Sequence, residues 1–586
     1  RSEKIFNSCG TCESAESAET YERDGTCGSD GSFGTCGTVG KSLSAFEMSI
    51  KQAFSLDFCQ KIVILVSPER ENAEQNLERC AIENAVRSLA RSGVEPAEQD
   101  LEIVSCTDTS VSSVMKILAE KSDGYENLVY EMADYPFYNI PLVKKMFDLH
   151  TKSAAEYTFA DGYATGFSPE ILNSGTAKIL SLMCEQNEKW QKMKIKDDSI
   201  FELLKTDINS FEIETYISDG DYRANRFNFS CRNKNSMMQC KILFEKYSSL
   251  QIASCYDNVS TDDNVSINET DVEKLSQFSE TLAELQQTLP QYYSIQICTQ
   301  CNATCSFCPY PSSFYKKFGY LPNVKNQMMS YENFSSIIDN ISSFSGEAVV
   351  CLSLWGEAIL NPQLDKFIEK ILSYTGLSVL IELSGQKFDT SILDKISQVV
   401  KNAKERTNGG KKIYWIVSLD ATDEKKYDEL HNDGKSCAEN SYEVALHTLS
   451  LLISQFPECV YPQFLRLTEN EDSLESFWRS WNEKNGGNLI IKKYDWFSGL
   501  LEQKKTADLS PINRNVCWHL RRDFNILFDG SVPICQSALL NGDQGNVFTE
   551  TLESIWEKRR SLVQSQMSGI YNSICEKCDE YYIFNF

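Results

Sequence analysis

Four cysteines lie close together in the segment CTQCNATCSFCP, at positions 298, 301, 305 and 308. Disulfides among them would be crowded and would need an oxidising compartment. A structural zinc site usually takes two ligand pairs that a longer loop separates. These residue types at this spacing therefore suggest thiolates that converge on one metal centre.

A helix is another way to bring three of these sulfurs together, since Cys301, Cys305 and Cys308 share the i, i+4, i+7 spacing of one helical face. Asn302 and the other polar residues between them are poor helix formers. A proline directly after Cys308 also stops a helix there. The segment is therefore predicted to be a tight loop that follows a strand.

A second set of cysteines lies near the end of the chain, at positions 517, 535, 575 and 578. Asp529 and Gly530 stand between the first two of them and predict a hairpin turn between two short strands. Four thiolates would close the coordination shell of a metal centre. Because a set of four cysteines suits zinc as well as iron–sulfur clusters, both metals stay open from the residues alone.

The composition limits what these cysteines can do and where. The chain has 22 cysteines but only four histidines, so a metal site here is thiolate-rich. The net charge of −26 repels phosphate backbones and anionic lipid surfaces, so neither nucleic acid nor a membrane is expected as a partner. Without a long apolar run or a secretion signal, the chain is predicted to be cytoplasmic, with reduced thiols.

The elements that must position the first cysteine set are predicted from residue 290 onward, where apolar strands and amphipathic helices alternate. Six strands with helices between them indicate an α/β fold, a partial (β/α)6 barrel. The predicted strands lie at 292–298, 347–356, 377–385, 412–420, 460–468 and 488–494. Polar residues at the carboxyl ends of such strands are the expected site residues.

The spacing Cys301-x3-Cys305-x2-Cys308, with Phe307 before the third cysteine, resembles the motif of the radical S-adenosylmethionine (SAM) superfamily. The resemblance implies that these three cysteines bind a [4Fe–4S] cluster and leave one iron free for SAM. It also implies reductive cleavage of SAM to a 5′-deoxyadenosyl radical, which abstracts hydrogen from a substrate. Cys298 stands where the family usually has a small residue, so it is interpreted as a packed thiol and not as a fourth ligand.

The same resemblance implies the SAM contacts. Gly356 and Glu357 occupy the Gly-Glu segment of the family, where the carboxylate accepts from the SAM amine, although Trp355 and Ala358 depart from the family pattern. The remaining predicted contacts lie at later strand ends, and they are Ser384, Ser418, Asp420 and Arg466. The alternatives are that Asp420 caps the next helix and that Arg466 pairs with a surface acid.

The second cysteine set resembles the SPASM/twitch domain that follows the barrel in many radical-SAM enzymes. The resemblance includes the stretch GNVFTETLESIWE at 545–557. It implies one auxiliary [4Fe–4S] cluster ligated by Cys517, Cys535, Cys575 and Cys578, with a four-cysteine zinc site as the alternative.

Before residue 256 the pattern again predicts βαβ units, in a doubly wound domain over 45–255. With its strand-to-helix segment ADYPFYNIPLV, the domain resembles nucleotidyltransferase-like glycosyltransferases, which implies that Asp134 helps to bind Mg²⁺ and a nucleotide. The glycine-rich entry loop of that fold is not recognisable, and Asp134 could instead cap the following helix. Residues 1–44 are predicted to be a flexible tail that holds Cys9, Cys12, Cys27 and Cys36, and 256–289 a linker followed by a helix.

Taken together, residues 45–586 resemble the spiro-SPASM proteins, with a radical-SAM core over 290–504 and a SPASM/twitch domain over 505–586. The predicted function is a radical-SAM enzyme acting on a peptide or on a sugar or nucleotide-linked molecule. A reducing flavodoxin or ferredoxin is the expected electron donor. Two alternatives stay open: a nucleotidyltransferase with a regulatory iron–sulfur region, and a non-catalytic electron carrier or zinc-stabilised binding module.

Overall fold

A computed structural model describes the ranges 2–7, 45–66, 100–106, 108–137, 139–218, 222–247, 279–301, 303–322, 324–386, 391–432, 440–507, 509–511, 514–538 and 543–582. The chain divides into two compact units, 1–285 and 286–586. This boundary lies within the predicted linker and helix over 256–289, of which 256–278 fall outside the described residues. The precise domain limits remain predictions.

The first unit contains a seven-stranded sheet in the order β3-β2-β1-β4-β6-β5-β7. All neighbouring strands are parallel except β6, which runs antiparallel to β4 and β5. The strands are β1 (Ser2–Asn7), β2 (Cys59–Val66), β3 (Asp100–Ser105), β4 (Asn127–Met132), β5 (Tyr157–Asp161), β6 (Glu170–Asn173) and β7 (Ile213–Ile217). This α/β arrangement agrees with the predicted βαβ pattern, while the nucleotidyltransferase-like identity stays a prediction.

Strand β1 corrects the prediction of a flexible tail over 1–44. Ser2–Asn7 pairs with β2 on one side and with β4 on the other, so it is an interior strand of the sheet. Its sequence, SEKIFN, is short, with four polar residues in six, and its ladder partners come from more than fifty residues away, so local pattern gives little signal for it. Cys9, Cys12, Cys27 and Cys36 lie outside the described residues.

Helices cover both faces of this sheet, as the doubly wound prediction requires. Ile50 in the first helix packs with Ile62 and Ile64 of β2 on one face. Leu118 and Leu180 pack with Val63 and Leu128 on the other. The helices are α1 (Ala45–Phe54), α2 (Val111–Lys121), α3 (Ile140–Lys152), α4 (Ser174–Glu185), α5 (Glu188–Lys192), α6 (Ser199–Leu204) and α7 (Lys234–Tyr247), and α8 (Ser279–Gln286) ends this region.

The second unit is built on a parallel seven-stranded sheet in the order β13-β12-β11-β10-β9-β8-β14. All six predicted strands are confirmed. They are β8 (Tyr292–Ile295), β9 (Ala348–Cys351), β10 (Leu377–Leu383), β11 (Ile413–Ser418), β12 (Val460–Arg466) and β13 (Ile490–Lys493). Their sequential order is the order of a partial β/α barrel.

The seventh strand, β14 (Asp523–Ile526), was assigned by sequence to the small C-terminal domain. It instead pairs in parallel with β8 and extends the barrel sheet. The predicted turn at Asp529 and Gly530 is present, since Gly530 donates to the Leu527 carbonyl at 2.9 Å. However, the strand after the turn, β15 (Ser531–Pro533), pairs with β16 (Asp543–Asn546) and forms no ladder with β14. Residues 523–526 therefore belong to the barrel sheet.

Side chains alternate between the two faces of this sheet. Tyr293, Val379 and Trp415 point into a large apolar core, which they share with the surrounding helices. Their neighbours Tyr292, Leu380 and Ile416 form a smaller cluster on the other face. Because the strands are parallel, the polar residues at their carboxyl ends lie at one edge of the sheet.

The helices of the second unit are α9 (Tyr310–Phe318), α10 (Tyr331–Ser345), α11 (Leu364–Leu372), α12 (Ser391–Asn402), α13 (Glu424–His431), α14 (Ser441–Gln455), α15 (Leu474–Lys484), α16 (Trp518–Arg522), α17 (Leu552–Glu557), α18 (Arg560–Met567) and α19 (Ser573–Lys577). Trp556 of α17 shares the main core with Phe524 of β14, so the C-terminal region and the barrel are packed as one core. Among the described residues, none of the helices is both long and apolar enough to span a membrane.

Candidate active site and metal centres

The first cysteine set lies in a loop between β8 and α9, as predicted. The loop is fixed by its own backbone: Thr304 donates to the His431 carbonyl at 2.9 Å, and Ser306 donates to the Leu430 carbonyl at 2.8 Å. These carbonyls belong to the last turn of α13, whose C-terminal oxygens lack partners within the helix. The end of α13, the helix that follows β11, thus fixes the position of the cysteine loop.

The three motif thiols are close enough to interact electrostatically. Burial raises the pKa of the Cys305 thiol, and the neighbouring charges of Cys308 and Cys301 raise it further. Burial likewise raises the pKa of Cys308 to about 11. Half-buried thiols that destabilise each other's charge are suited to a cation that would neutralise them, and three sulfurs match the ligand number of a site-differentiated [4Fe–4S] cluster.

Cys298 differs from these three cysteines. It is buried, and its thiol lies 3.7 Å from the Asn326 side-chain oxygen, in hydrogen-bond contact with it. Burial raises its pKa. This geometry supports the interpretation of Cys298 as a packed thiol.

Gly356 brings the next strand end against the cysteine loop. Its φ of +122° lies in a region that L side chains rarely adopt. A Cβ atom at this position would lie 2.2 Å from the Cys298 carbonyl oxygen. The next residue, Glu357, donates its backbone N–H to the Gln300 carbonyl at 2.9 Å. A glycine is therefore required for Glu357 to lie beside the cysteines.

We expect Gly356→Ala to destabilise the protein by about 2–4 kcal/mol, because it adds backbone strain and a steric clash. It should also reduce iron incorporation, since the clash displaces the cysteine loop. Chemical denaturation and iron analysis of the reconstituted protein measure both effects. Gly319→Ala is the matched control, because Gly319 has a φ of +78° with open space around its Cβ position and should cost only about 1 kcal/mol.

Glu357 and Ser384 are brought together, as the predicted SAM contacts require. Glu357 is 4 % exposed, and its Oε1 accepts from the Ser384 backbone N–H at 3.0 Å and from the Ser384 hydroxyl at 2.5 Å. Its second oxygen, Oε2, is buried without a hydrogen-bond partner in the described residues. A buried carboxylate oxygen without a donor is unfavourable, so this atom fits an ammonium or amine donor such as that of SAM.

The other predicted contacts have different surroundings. Asp420 is fully buried, and its Oδ1 accepts from the Leu465 backbone N–H at 2.6 Å. It does not cap the next helix, because the N-cap of α13 is Asp423. Ser418 accepts from the Gln463 side-chain amide at 2.9 Å. A direct role of Asp420 and Ser418 in binding SAM stays a prediction.

Arg466 forms a bidentate ion pair with Glu471 of its own loop, in which the Arg466 Nε lies 3.1 Å from Oε2. This pair agrees with the alternative that Arg466 meets a nearby acid. Arg466 also lines a cavity of about 650 Å³ on the inner face of the barrel. Apolar and charged side chains share this cavity, among them Leu380, Ile416, Glu382 and Lys492.

His431 is a site residue that sequence reasoning missed. Its Nδ1 lies 3.4 Å from the Cys305 sulfur, and its Nε2 lies 3.1 Å from Oδ2 of Asp420. The first contact meets hydrogen-bond geometry, while the second is an ion-pair distance whose angles do not align as a hydrogen bond. The sequence gives only a weak indication of this role, since His431 is one of four histidines and lies at the end of the helix that follows Asp420.

The second cysteine set also converges. Burial raises the pKa of the Cys535 thiol, and the charges of Cys578, Cys517 and Cys575 raise it further. Burial is also the main reason why the pKa of Cys578 rises to about 12. The four predicted ligands are thus neighbours, although they come from positions up to 61 residues apart.

Arg559 supplies a buried positive charge beside this second set. It is 0 % exposed, and its guanidinium donates to the carbonyls of Asp523 and Pro533. Within the part of the chain that the structure describes, it forms no salt bridge, and its Nε has no hydrogen-bond partner. Burial lowers its pKa to about 10, against the opposing influence first of Cys535 and then of Asp523. A buried cation of this kind fits an anionic four-thiolate centre.

Asp134, the predicted Mg²⁺ residue of the first unit, is engaged by an arginine. Both of its oxygens accept from Arg232, whose Nη2 lies 3.1 Å from Oδ1. Arg232 also pairs with Asp197. Asp134 does not cap α3, because Asn139 is the N-cap residue there. The metal role of Asp134 stays a prediction, and a cation would have to compete with Arg232.

Comparisons with known proteins agree with the C-terminal assignment. Residues 517–579 match the SPASM family, described as an iron–sulfur cluster-binding domain. The chain is 33 % identical over 390 residues to an uncharacterized protein of Treponema pallidum (strain Nichols), and the match covers 66 % of this chain and 98 % of that protein. The predicted SPASM domain is thereby confirmed.

Three solved structures show a similar but distant fold. BtrN in complex with AdoMet and 2-DOIA is 15 % identical with a TM-score of 0.30, covering 50 % of this chain and 94 % of BtrN. Streptococcus suis SuiB bound to the precursor peptide SuiA is 14 % identical with a TM-score of 0.37, covering 61 % and 87 %. AnSMEcpe with AdoMet and the Cp18Cys peptide is 14 % identical with a TM-score of 0.35, covering 50 % and 90 %.

The cysteine motif lies at the head of a parallel half-barrel, next to the half-buried Gly356 and the buried Glu357, and a SPASM domain follows. The chain thus belongs to one family with the Treponema pallidum protein, and it carries a C-terminal SPASM domain.

Proposed function

We propose that this protein is a radical-SAM enzyme whose substrate is a peptide or another small molecule that enters the barrel. Cys301, Cys305 and Cys308 are the residues that would hold the [4Fe–4S] cluster. When bound, the cluster and SAM together supply a 5′-deoxyadenosyl radical for hydrogen abstraction. The observation that carries the proposal is the placement of three half-buried thiols beside Glu357, whose Oε2 has no donor among the described residues.

The residues of the chain have separate tasks in this proposal. Glu357 binds the amine of SAM through Oε2, because Ser384 already occupies Oε1 and fixes the carboxylate in one orientation. Cys298 stays outside the ligand set, since its thiol contacts Asn326. The open iron is thereby left to the amino-acid part of SAM.

The cavity of about 650 Å³ is the proposed substrate site. Its volume lies within the range of about 300–1,000 Å³ that is usual for small-molecule pockets. Its mixture of apolar walls with Glu382 and Lys492 suits a substrate that has polar groups at fixed positions. SuiB, a distant structural neighbour, was solved with a precursor peptide, and for this chain a peptide is one of the substrates that we propose.

The C-terminal cysteines would hold an auxiliary [4Fe–4S] cluster with a closed coordination shell, for structure or electron transfer. Iron analysis separates this from the four-cysteine zinc alternative: two clusters give about eight iron per chain, whereas about four iron with one zinc would indicate zinc at the tail. A flavodoxin or ferredoxin is the proposed source of electrons, in a cytoplasm that keeps the thiols reduced. The nucleotidyltransferase alternative gains no support, because both carboxylate oxygens of Asp134 accept hydrogen bonds from Arg232.

The test is anaerobic incubation of the reconstituted protein with SAM and dithionite. We expect 5′-deoxyadenosine and methionine to form, and to form only when the cluster is loaded. Lack of 5′-deoxyadenosine in protein with a full complement of iron and sulfide would refute the proposal.

A further inference from the structure

The contact between His431 and Cys305 is the starting point, and the inference from it deepens the proposed function. His431 is 1 % exposed, and its Nδ1 lies 3.4 Å from the sulfur of a proposed cluster ligand. The histidine belongs to α13, more than a hundred residues after the cysteine loop. The contact therefore joins the imidazole of a distant helix to Cys305, one of the three proposed cluster ligands.

The position of the ring is determined from several sides. Tyr427 stacks on it at 4.4 Å between ring centroids, and Phe307 meets it edge to face at 5.3 Å. Asp420 lies beside Nε2, and Asp420 is itself held by the backbone N–H of Leu465. Because its neighbours fill the space around it, the ring has little freedom to turn away from Cys305.

The direction of the hydrogen bond follows from the chemistry of the sulfur. A sulfur that binds iron carries no proton, so the hydrogen of this contact then belongs to Nδ1, and His431 is the donor. On the other side of the ring, Nε2 lies 3.1 Å from Oδ2 of Asp420 without the alignment of a hydrogen bond. Outer residues that contact a ligand commonly orient and tune metal sites.

We infer that His431 is a positioning residue whose Nδ1–H hydrogen bond to Cys305 raises the reduction potential of the cluster. A donor to a ligand sulfur stabilises the additional negative charge of the reduced cluster more than that of the oxidised one. The inference rests on the proposed cluster at Cys301, Cys305 and Cys308.

The structure offers a variant that removes the hydrogen bond and little else. His431→Phe keeps an aromatic ring between Tyr427 and Phe307. The backbone bonds from Thr304 and Ser306 to the carbonyls of residues 431 and 430 also remain, so the loop stays on α13. His431→Asn is the rescue variant, since its amide nitrogen can take the place of Nδ1.

The experiment is a reductive titration of the reconstituted protein, followed by electron paramagnetic resonance. The barrel cluster is identified as the signal that changes when SAM is added. We expect His431→Phe to lower the midpoint potential by at least about 59 mV, which corresponds to a tenfold change in the equilibrium constant of a one-electron reduction. His431→Asn should recover most of that shift, and His447→Phe, an exposed position on α14, should leave the potential unchanged.

The possible outcomes separate this inference from the function on which it rests. A wild-type protein without a SAM-sensitive cluster signal would refute the proposed function. A normal wild-type signal whose potential is the same in His431→Phe would overturn only the role of His431. An equal fall in the Phe and Asn variants would also overturn it, because a structural effect of losing the ring, and not the lost donor, would then explain the shift.

Discussion

Replacing Cys305 by alanine is expected to reduce 5′-deoxyadenosine formation to the level of a protein-free control. Cys305 is one of three thiols in the motif loop, and it interacts electrostatically with both others. Two remaining thiolates would not retain a cluster with a single open iron. The iron content should therefore fall by about half, from about eight to about four per chain, because the C-terminal site is separate.

Cys298→Ala is the matched control for this prediction. It also removes a thiol next to the motif, but that thiol is buried and contacts the Asn326 side chain. We expect it to keep the iron content and the product yield, with a loss of about 1 kcal/mol in unfolding free energy for the missing sulfur. If Cys298→Ala lost the cluster as Cys305→Ala does, the three-thiolate assignment would be wrong.

The sequence was sufficient for features that depend on local pattern. The six predicted barrel strands lie in mainly apolar stretches that alternate with amphipathic helices, and the motif cysteines lie within one loop, so both could be predicted without tertiary information. The SPASM cysteines were predicted through a family resemblance, and their convergence in the structure agrees with it. Gly356 was also predicted, because close backbone approach requires a residue without a Cβ.

The features that were missed all depend on contacts between distant segments. Strand β14 has four residues, and only its pairing with β8, more than two hundred residues earlier, makes it part of the barrel. His431 ends a strongly polar helix, and nothing local shows that its ring faces Cys305. Asp420 was placed at the correct strand end, but the direction of its carboxylate depends on β12 and α13.

Arg559 was missed for a similar reason. It stands in the stretch EKRRSL, which has the composition of an exposed helix surface. Its neighbour Arg560 is indeed partly exposed and pairs with Glu557, whereas Arg559 is fully buried between Phe524 and Trp556. Two identical residues side by side therefore have opposite environments, which a single sequence cannot distinguish.

These two arginines allow the second large prediction. We expect Arg559→Met to destabilise the protein by about 3–5 kcal/mol, because it removes a buried charge that two carbonyls and the nearby thiolates stabilise. Without this cation, the four-thiolate centre loses its buried counter-charge, so the iron content should fall toward about four per chain. Chemical denaturation and iron analysis of the reconstituted protein measure both.

Two further variants show whether the charge or the packing of Arg559 matters. Arg560→Met removes the same side chain one residue later, from a partly exposed position, and should change the unfolding free energy by no more than about 1 kcal/mol. Arg559→Lys keeps the positive charge but loses the planar guanidinium, so it should retain more of the auxiliary iron than Arg559→Met does. If Arg559→Met folded with wild-type stability and about eight iron, the buried cation would have no part in holding the C-terminal centre.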